Sequence, residues 1–163
     1  MILKSVSYSM LKKFLIDVDG VLTTGQFLYS EEGKIFKIFG PHDSDGLKLI
    51  KQDIDISFIS ADKRGFEISK KRVEDMGFNL VYCSEQDRKN FITETYNFKD
   101  LAYMGDGIFD VDILKEAALG ICPNNARPEA MEVADFVTPS KSAEGSVLDA
   151  CLYIKKNYLD EVN

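Results

Sequence analysis

Two carboxylates directly behind an apolar run constrain this chain more than any other feature. The run at 14–16 leads into Asp17 and Asp19, and Gly20 follows. Short apolar runs that end at glycine are typical of buried strands. Because a buried charge is costly unless it is paired or bound to a metal, an acid pair at a strand tip indicates a functional site. A polar turn, in which aspartates accept local hydrogen bonds, is an equally good interpretation of these residues alone.

Apolar runs alternate with helical patterns along the chain. Strands are predicted at 13–17, 54–60, 79–83, 101–104, 119–122 and 135–137. Helices are predicted at 45–52, 65–76, 87–96, 109–117, 127–133 and 145–157. Strands that alternate with helices indicate an α/β fold, here a doubly wound, Rossmann-like, mainly parallel sheet with helices on both faces. The absence of repeats, low-complexity segments and linkers predicts a single domain over 1–163.

Residues 26–39 interrupt this alternation. Two aromatic-rich runs flank Glu31, Glu32 and Gly33, a pattern that predicts a β-hairpin after the first strand. The apolar side chains of this segment are Phe27, Tyr29, Ile35, Phe36, Ile38 and Phe39. A two-stranded ribbon alone is marginal in water, so the hairpin either folds back on its own core or packs on another subunit. The residues themselves leave both alternatives open.

The charge balance excludes several function classes. The net charge is −7, from 20 basic and 27 acidic residues, which argues against a nucleic-acid-binding protein and against a polybasic membrane anchor. No stretch approaches the roughly 18 apolar residues of a membrane span. Residues 1–12 are interrupted by Lys4, Ser5 and Ser7, so we expect no signal peptide. Three distant cysteines, Cys83, Cys122 and Cys151, predict reduced, mostly buried thiols in a cytoplasmic protein.

The loop at 40–46 is rich in turn residues and enters a predicted helix. Asp43 or Ser44 is predicted to cap that helix, and this favours a structural role over a directly catalytic one. The loop also holds His42, the single histidine of the chain. One histidine excludes any mechanism or metal site that needs two.

Polar residues also follow the strands at 54–60 and 79–83. Ser60 ends the first of these, where a hydroxyl can donate to a phosphoryl oxygen beside the N-terminus of the next helix. Arg88 or Lys89 follows the second and is able to neutralise a carboxylate and a phosphate. A helix cap at Ser60 and an ordinary exposed turn around the two cations are the alternative interpretations.

A second acid pair follows the predicted strand at 101–104. Asp106 lies at the strand tip, and Asp110 lies one helical turn later on the same face. Two acid pairs at separate strand tips would repel each other unless a cation lies between them. Oxygen ligands without a usable Cys or His set predict Mg²⁺ as that cation.

With these motifs in place, the sequence resembles the phosphatases of the haloacid dehalogenase superfamily. The motifs that carry the resemblance are Asp17-Val18-Asp19-Gly20-Val21-Leu22-Thr23, then Ser60, then a basic residue at 88 or 89, then Gly105-Asp106-Gly107-Ile108-Phe109-Asp110. The short length, the hairpin, Asp45-Gly46-Leu47 and the late Gly145 are similar to one capless branch. That branch contains the 3-deoxy-D-manno-octulosonate (KDO) 8-phosphate phosphatases and the acylneuraminate 9-phosphate phosphatases, which are homotetramers.

The resemblance implies a Mg²⁺-dependent phosphomonoester hydrolase with a defined set of residue roles. Asp17 is implied to be the nucleophile that forms an aspartyl-phosphate, and Asp19 the acid and base. Asp17, Asp106 and the backbone carbonyl of Asp19 are implied to hold Mg²⁺, with Asp110 orienting the groups around it. The residues implied to bind the substrate or its phosphate are Ser60, Lys89 or Arg88, and Asp45.

The resemblance also implies a substrate and an assembly. The substrate is a phosphorylated eight- or nine-carbon 2-keto-3-deoxy sugar acid, and the assembly is a homotetramer in which a neighbour's hairpin covers each active site. Family members often have Thr-Gly-Arg where this chain has Ser60-Ala61-Asp62. This departure bears on the identity of the substrate more than on the reaction.

Two other functions fit parts of the sequence. Domains of this type also serve as catalytically silent oligomerisation scaffolds attached to sugar-acid cytidylyltransferases, but a scaffold needs no cluster of four acids. A phospho-accepting receiver domain is also doubly wound and acidic. Such a domain is shorter, and it needs no Asp-x-Asp motif followed by a hairpin.

Overall fold

The computed structural model describes residues 10–160, and six parallel strands form its main sheet. From one edge of the sheet to the other, they are β5 (Leu80–Tyr82), β4 (Asp55–Ser60), β1 (Lys13–Asp17), β6 (Leu101–Met104), β7 (Leu119–Cys122) and β8 (Phe136–Val137). The helices are α1 (His42–Ile50), α2 (Phe66–Asp75), α3 (Arg88–Thr95), α4 (Val111–Glu116), α5 (Pro128–Val133) and α6 (Ser146–Ile154). The predicted α/β fold is confirmed.

Strand β1 lies in the middle of the sheet because its apolar run is buried on both faces. Phe14 and Ile16 pack in the core on the side of α1, α2 and α6, whereas Leu15 packs in the core on the side of α3, α4 and α5. A continuous apolar run of this kind is typical of a parallel strand covered on both faces. The strand order reverses at β1, so its carboxyl end opens into the crevice where such sheets bind ligands.

The start of helix α1 differs from the prediction. The helix begins at His42, three residues before the predicted start, so Asp43 and Ser44 lie in its first turn. Neither of them caps α1. Instead the Asp43 carboxylate accepts the backbone N–H groups of Val147, at 3.0 Å, and Leu148, at 3.4 Å, in the first turn of α6. The predicted local cap is therefore wrong, because the carboxylate caps a helix that is distant in sequence.

Burial of Asp43 makes the stability of this helix pair depend on pH. Burial raises the pKa of the Asp43 carboxyl to about 6; the two backbone N–H groups and His42 act in the opposite direction, and Asp149 adds to the rise. A carboxyl whose pKa is raised on folding stabilises the protein at low pH, and this contribution is lost as the pH rises through about 6.

Between about pH 4 and pH 7.5, we expect the free energy of unfolding to fall less in Asp43→Asn than in the wild type. The amide oxygen still accepts hydrogen bonds from the backbone of α6, but it has no charge to bury. The pH-dependent change in the free energy of unfolding should therefore differ between variant and wild type by about 3 kcal/mol at most. Urea unfolding at several pH values measures it. Parallel stability curves for the variant and the wild type would contradict the expectation.

The hairpin forms a separate antiparallel sheet of β2 (Thr23–Ser30) and β3 (Gly33–Phe39), three residues longer at its start than predicted. Part of β3 contacts the body of its own chain, since Phe39 packs against the core and Lys37 is buried, but most of the apolar surface of the hairpin stays uncovered. Its large apolar side chains that are more than two-fifths exposed are Phe27, Leu28, Tyr29, Ile35, Phe36 and Ile38. An apolar surface of this extent is typical of an interface.

The cysteines, the membrane-span prediction and the N-terminal segment can also be compared with the structure. Cys83, Cys122 and Cys151 are buried free thiols, as predicted. Within residues 10–160, no helix has both the length and the apolar character needed to cross a membrane. The expectation that no signal peptide is present concerns 1–12, of which 1–9 lie outside the described residues.

Candidate active site

The turn after β1 fixes the first acid pair. The chain turns sharply through Val18–Leu22, and Gly20 adopts a φ of 83°, a left-handed conformation that favours glycine. A Cβ atom at Gly20 would also collide with the Asp106 carboxylate. The glycine therefore allows the tip of β1 and the tip of β6 to approach each other, which brings Asp17 close to the second acid pair.

Three carboxylates meet at these strand tips. Asp17, Asp106 and Asp110 each offer an oxygen, and these oxygens lie within 4.8 Å of one another. Asp110 is held firmly, since its Oδ2 accepts the backbone N–H groups of Asp106, at 3.0 Å, and Gly107, at 2.9 Å. The hydroxyl of buried Tyr103 donates to its other oxygen. The structure thus brings Asp17 of the first predicted acid pair together with both acids of the second.

Arg88 is the cation of this cluster. Its Nη1 lies 3.2 Å from Asp17 Oδ2 and 2.9 Å from Asp110 Oδ1, and the side chain is buried. The neighbouring Lys89 points away and pairs with Glu116 at 2.5 Å. Of the two basic residues that the sequence left as alternatives, Arg88 therefore lies in the acid cluster and Lys89 lies outside it.

The electrostatics of the cluster favour a further cation. Burial raises the pKa of Asp17 well above its usual range; Asp110 and Asp106 add to the rise, and Arg88 opposes it. Burial and Asp110 likewise raise the pKa of Asp106 to about 7. Asp17 Oδ1 is buried and accepts no hydrogen bond from the described residues. A free oxygen in a group of crowded carboxylates fits a hard divalent ion such as Mg²⁺.

Asp19 faces the same crevice beside the tip of β4. Ser60 is buried at the end of β4, and its Oγ donates to Asp19 Oδ2 at 2.7 Å. The Ser60 hydroxyl also accepts the backbone N–H of Asp62 at 3.1 Å. The structure therefore places Ser60 next to Asp19, at the end of β4, where the chain enters the loop that leads to α2.

Two hairpin lysines, which the sequence analysis missed, reach into this site. Lys37 Nζ lies 2.6 Å from Asp19 Oδ1 and 2.8 Å from Asp62 Oδ2. Lys34 Nζ lies 2.5 Å from the same Asp62 oxygen. Although burial acts in the opposite direction, the hydrogen bonds from both lysines lower the pKa of Asp62 to about 2. The sequence signal was the pair of lysines inside an apolar strand, whose buried charges require an acid.

A cavity of about 420 Å³ opens above these residues. Beyond the acid cluster, its walls include Phe27 and Lys34 from the hairpin, Glu85 from the loop before α3, and Phe109. Asp45 is absent from these walls. Its side chain is 62% exposed on α1 and pairs with Lys48, so the structure places this predicted binding residue outside the cavity.

The comparisons with known proteins agree with this geometry. A sequence model of the family described as haloacid dehalogenase-like hydrolase matches residues 27–150. The chain belongs to the haloacid dehalogenase-like hydrolases.

Three relatives of this family member illustrate the similarity. The KDO 8-phosphate phosphatase of Yersinia pestis is 26% identical over 147 residues, covering 86% of this chain and 78% of the relative. The enzyme of the same name from Escherichia coli K12 is 24% identical over 159 residues, covering 93% of this chain and 84% of the relative. The KDO 8-phosphate phosphatase of Moraxella catarrhalis, whose crystal structure contains magnesium, phosphate and KDO, is 28% identical in sequence. The two structures align with a TM-score of 0.79 over 90% of this chain and 86% of the relative.

These findings decide the coarser predictions. The predicted superfamily and the predicted enzyme class, a phosphatase, are confirmed, and so is the predicted resemblance to the KDO 8-phosphate phosphatases.

Proposed function

We propose that this chain is a Mg²⁺-dependent phosphomonoester hydrolase that acts through an aspartyl-phosphate on Asp17. The observation that carries the proposal is the meeting of Asp17, Asp19, Asp106 and Asp110 with Arg88 at the switch point of the sheet. Four acids gathered at a cavity have no structural purpose that would offset their mutual repulsion.

The donor set fits magnesium. The carboxylates of Asp17 and Asp106 and the backbone carbonyl of Asp19 would hold the ion, and Asp110 would orient the groups around it. When bound, the ion neutralises charge that would otherwise repel the phosphate dianion from the carboxylates. The related Moraxella catarrhalis enzyme was crystallised with magnesium and phosphate, which supports the assignment.

Asp17 would attack the phosphorus atom with one of its carboxylate oxygens. A new O–P bond forms to Asp17 as the bond from phosphorus to the sugar oxygen breaks. Arg88, held between Asp17 and Asp110 on the cavity wall, would contact the phosphoryl oxygens. Ser60, the other predicted phosphate-binding residue, is buried and donates its one hydroxyl proton to Asp19 instead. Arg88 thus takes the position that the sequence analysis left open between 88 and 89.

Asp19 would handle the protons of both steps. In the first step it gives a proton to the departing sugar oxygen. In the second step it takes a proton from a water molecule, which attacks phosphorus and releases orthophosphate while Asp17 regains its carboxylate. Asp19 is suited to this because its side chain is one-third exposed and lines the cavity, so both the leaving oxygen and water can reach it.

KDO 8-phosphate is the substrate that the relatives support best. The Yersinia pestis and Escherichia coli relatives carry that name, and the Moraxella catarrhalis crystals contain KDO. A nine-carbon acylneuraminate 9-phosphate type of substrate is the second candidate, since Asp62 replaces the arginine that is common in the family. Such substrates and the three buried thiols also favour the cytoplasm as the location.

The first test is phosphate release from both sugar acid phosphates, with Mg²⁺ and with a chelator. Mg²⁺-dependent release that favours one of the two would support the enzyme and identify its substrate class. A folded protein that releases no phosphate from either would favour the alternative, a silent oligomerisation domain associated with a sugar-acid cytidylyltransferase.

Arg88 and Lys89 provide a matched pair of variants. We expect Arg88→Gln to lower kcat by about 10²-fold or more, because it leaves the buried acids without their fixed counter-charge. Lys89→Gln removes the same charge one position along and should stay within about threefold of wild type, since Lys89 pairs with Glu116 outside the cluster. Equal losses in the two variants would contradict the assignment of Arg88.

We also propose a homotetramer in which the hairpin packs against a neighbouring subunit and closes its cavity. Phe36 is 61% exposed on the hairpin of the single chain, so Phe36→Asp should leave the fold intact while it disrupts the assembly. Light scattering should report a smaller particle with lower kcat/KM. Leu152→Asp, at a position 47% exposed on α6, is the control that should keep the wild-type mass.

A further inference from the structure

Lys37 holds its ammonium group inside the protein. Its side chain is 1% exposed, and a buried ammonium is stable only when partners satisfy both its charge and its protons. The Nζ atom lies 2.6 Å from Asp19 Oδ1, 2.7 Å from Ser69 Oγ and 2.8 Å from Asp62 Oδ2. An ammonium has three protons, so these contacts use its whole donor capacity.

The contact with Asp19 has a counterpart on the opposite side. Ser60 donates to Asp19 Oδ2, and Lys37 donates to Asp19 Oδ1, so each carboxylate oxygen is held by a different segment of the chain. One segment is the tip of β4, and the other is β3 of the hairpin. Proton transfer depends on holding the donor close to its productive geometry.

We infer that Lys37 is a positioning residue that aims the carboxylate of Asp19 at the reacting oxygen. This inference rests on the proposed function, in which Asp19 moves the proton in both chemical steps. The hairpin would then contribute to catalysis within its own chain, in addition to any contact it makes with a neighbour.

The competing explanation is that Lys37 only ties the hairpin to the body of the protein. Lys34 separates the two explanations, because it is on the same strand and contacts the same Asp62 oxygen at 2.5 Å. The other contact of Lys34 is with the ring of Phe27, whose centroid lies 3.9 Å away, rather than with Asp19. Removing either lysine loosens the hairpin, but removing Lys37 also frees the carboxylate of Asp19.

The experiment compares Lys37→Met with Lys34→Met in the Mg²⁺-loaded enzyme on its best sugar acid phosphate. We expect Lys37→Met to lower kcat by about 10²-fold with KM changed by less than about threefold. The loss of kcat in Lys34→Met should be at least about tenfold smaller. Acid quench and mass measurement of the intact protein should show accumulated phosphoenzyme in Lys37→Met, because the water attack also needs Asp19.

Equal losses of kcat in the two variants would overturn the inference, as would a Lys37→Met defect confined to KM without accumulated phosphoenzyme. If circular dichroism shows that Lys37→Met does not fold, Ser69→Ala replaces it. That variant removes one anchor of the ammonium and leaves every charge paired, and we expect a loss in kcat of about three- to tenfold. Unchanged kcat in Ser69→Ala would then overturn the inference. A wild-type protein without phosphatase activity would instead contradict the proposed function itself.

Discussion

Asp17→Asn is expected to abolish phosphate release, with kcat reduced by about 10⁴-fold or more. The amide keeps the shape of the side chain, but its nitrogen and neutral oxygen are poor nucleophiles, and it is a weaker ligand for Mg²⁺. The same change should not destabilise the fold. Burial raises the pKa of Asp17, so its ionised form costs stability at neutral pH, and a neutral amide removes that cost.

The measurement combines phosphate release with thermal unfolding. An inactive variant whose Tm equals or exceeds that of the wild type would show that the loss is chemical. Activity of Asp17→Asn within about tenfold of wild type would contradict the nucleophile assignment.

Asp19→Asn is expected to trap the phosphoenzyme and to lower kcat by about 10²- to 10⁴-fold. An amide cannot protonate the sugar oxygen or take a proton from water, so both steps become slow. Substrates with better leaving groups should restore the first step, because they depart without a proton. The leaving group takes no part in the second step, so that step stays slow. The phosphorylated form of Asp17 should therefore accumulate.

Rapid acid quench followed by peptide mass analysis measures this accumulation. An aryl phosphate should give a burst of one phenol per active site in Asp19→Asn, followed by slow turnover. A uniform slowing of both steps with no burst from the aryl phosphate would contradict the assignment of Asp19.

Strand tips and acid pairs were predictable because they follow local rules. The run before Asp17 and the run before Asp106 each signal a buried strand, and parallel topology places the carboxyl ends of such strands on one edge. Neighbouring side chains could not be distinguished in the same way. Arg88 and Lys89 point about 100° apart on a helix, and only the position of α3 on the sheet determines which one enters the cluster.

Contacts between distant segments were beyond the reach of sequence patterns. Asp43 looked like a local cap, yet it accepts from Val147, which is 104 positions away. Lys37 in the hairpin contacts Asp62 in the loop after β4. Neither pairing has a period or a motif, since each arises from the packing of two elements that form independently.

The central place of β1 affects how the protein is made. Lys13 pairs with Asp55 on one side and with Leu101 on the other, so the strand that carries Asp17 leaves the ribosome long before its second neighbour. Contacts of such sequence separation slow folding, because a long loop must close before they form. A nascent chain that ends before β6 also lacks Asp106 and Asp110. The acid cluster can therefore be complete only late in synthesis, after about two-thirds of the polypeptide has emerged.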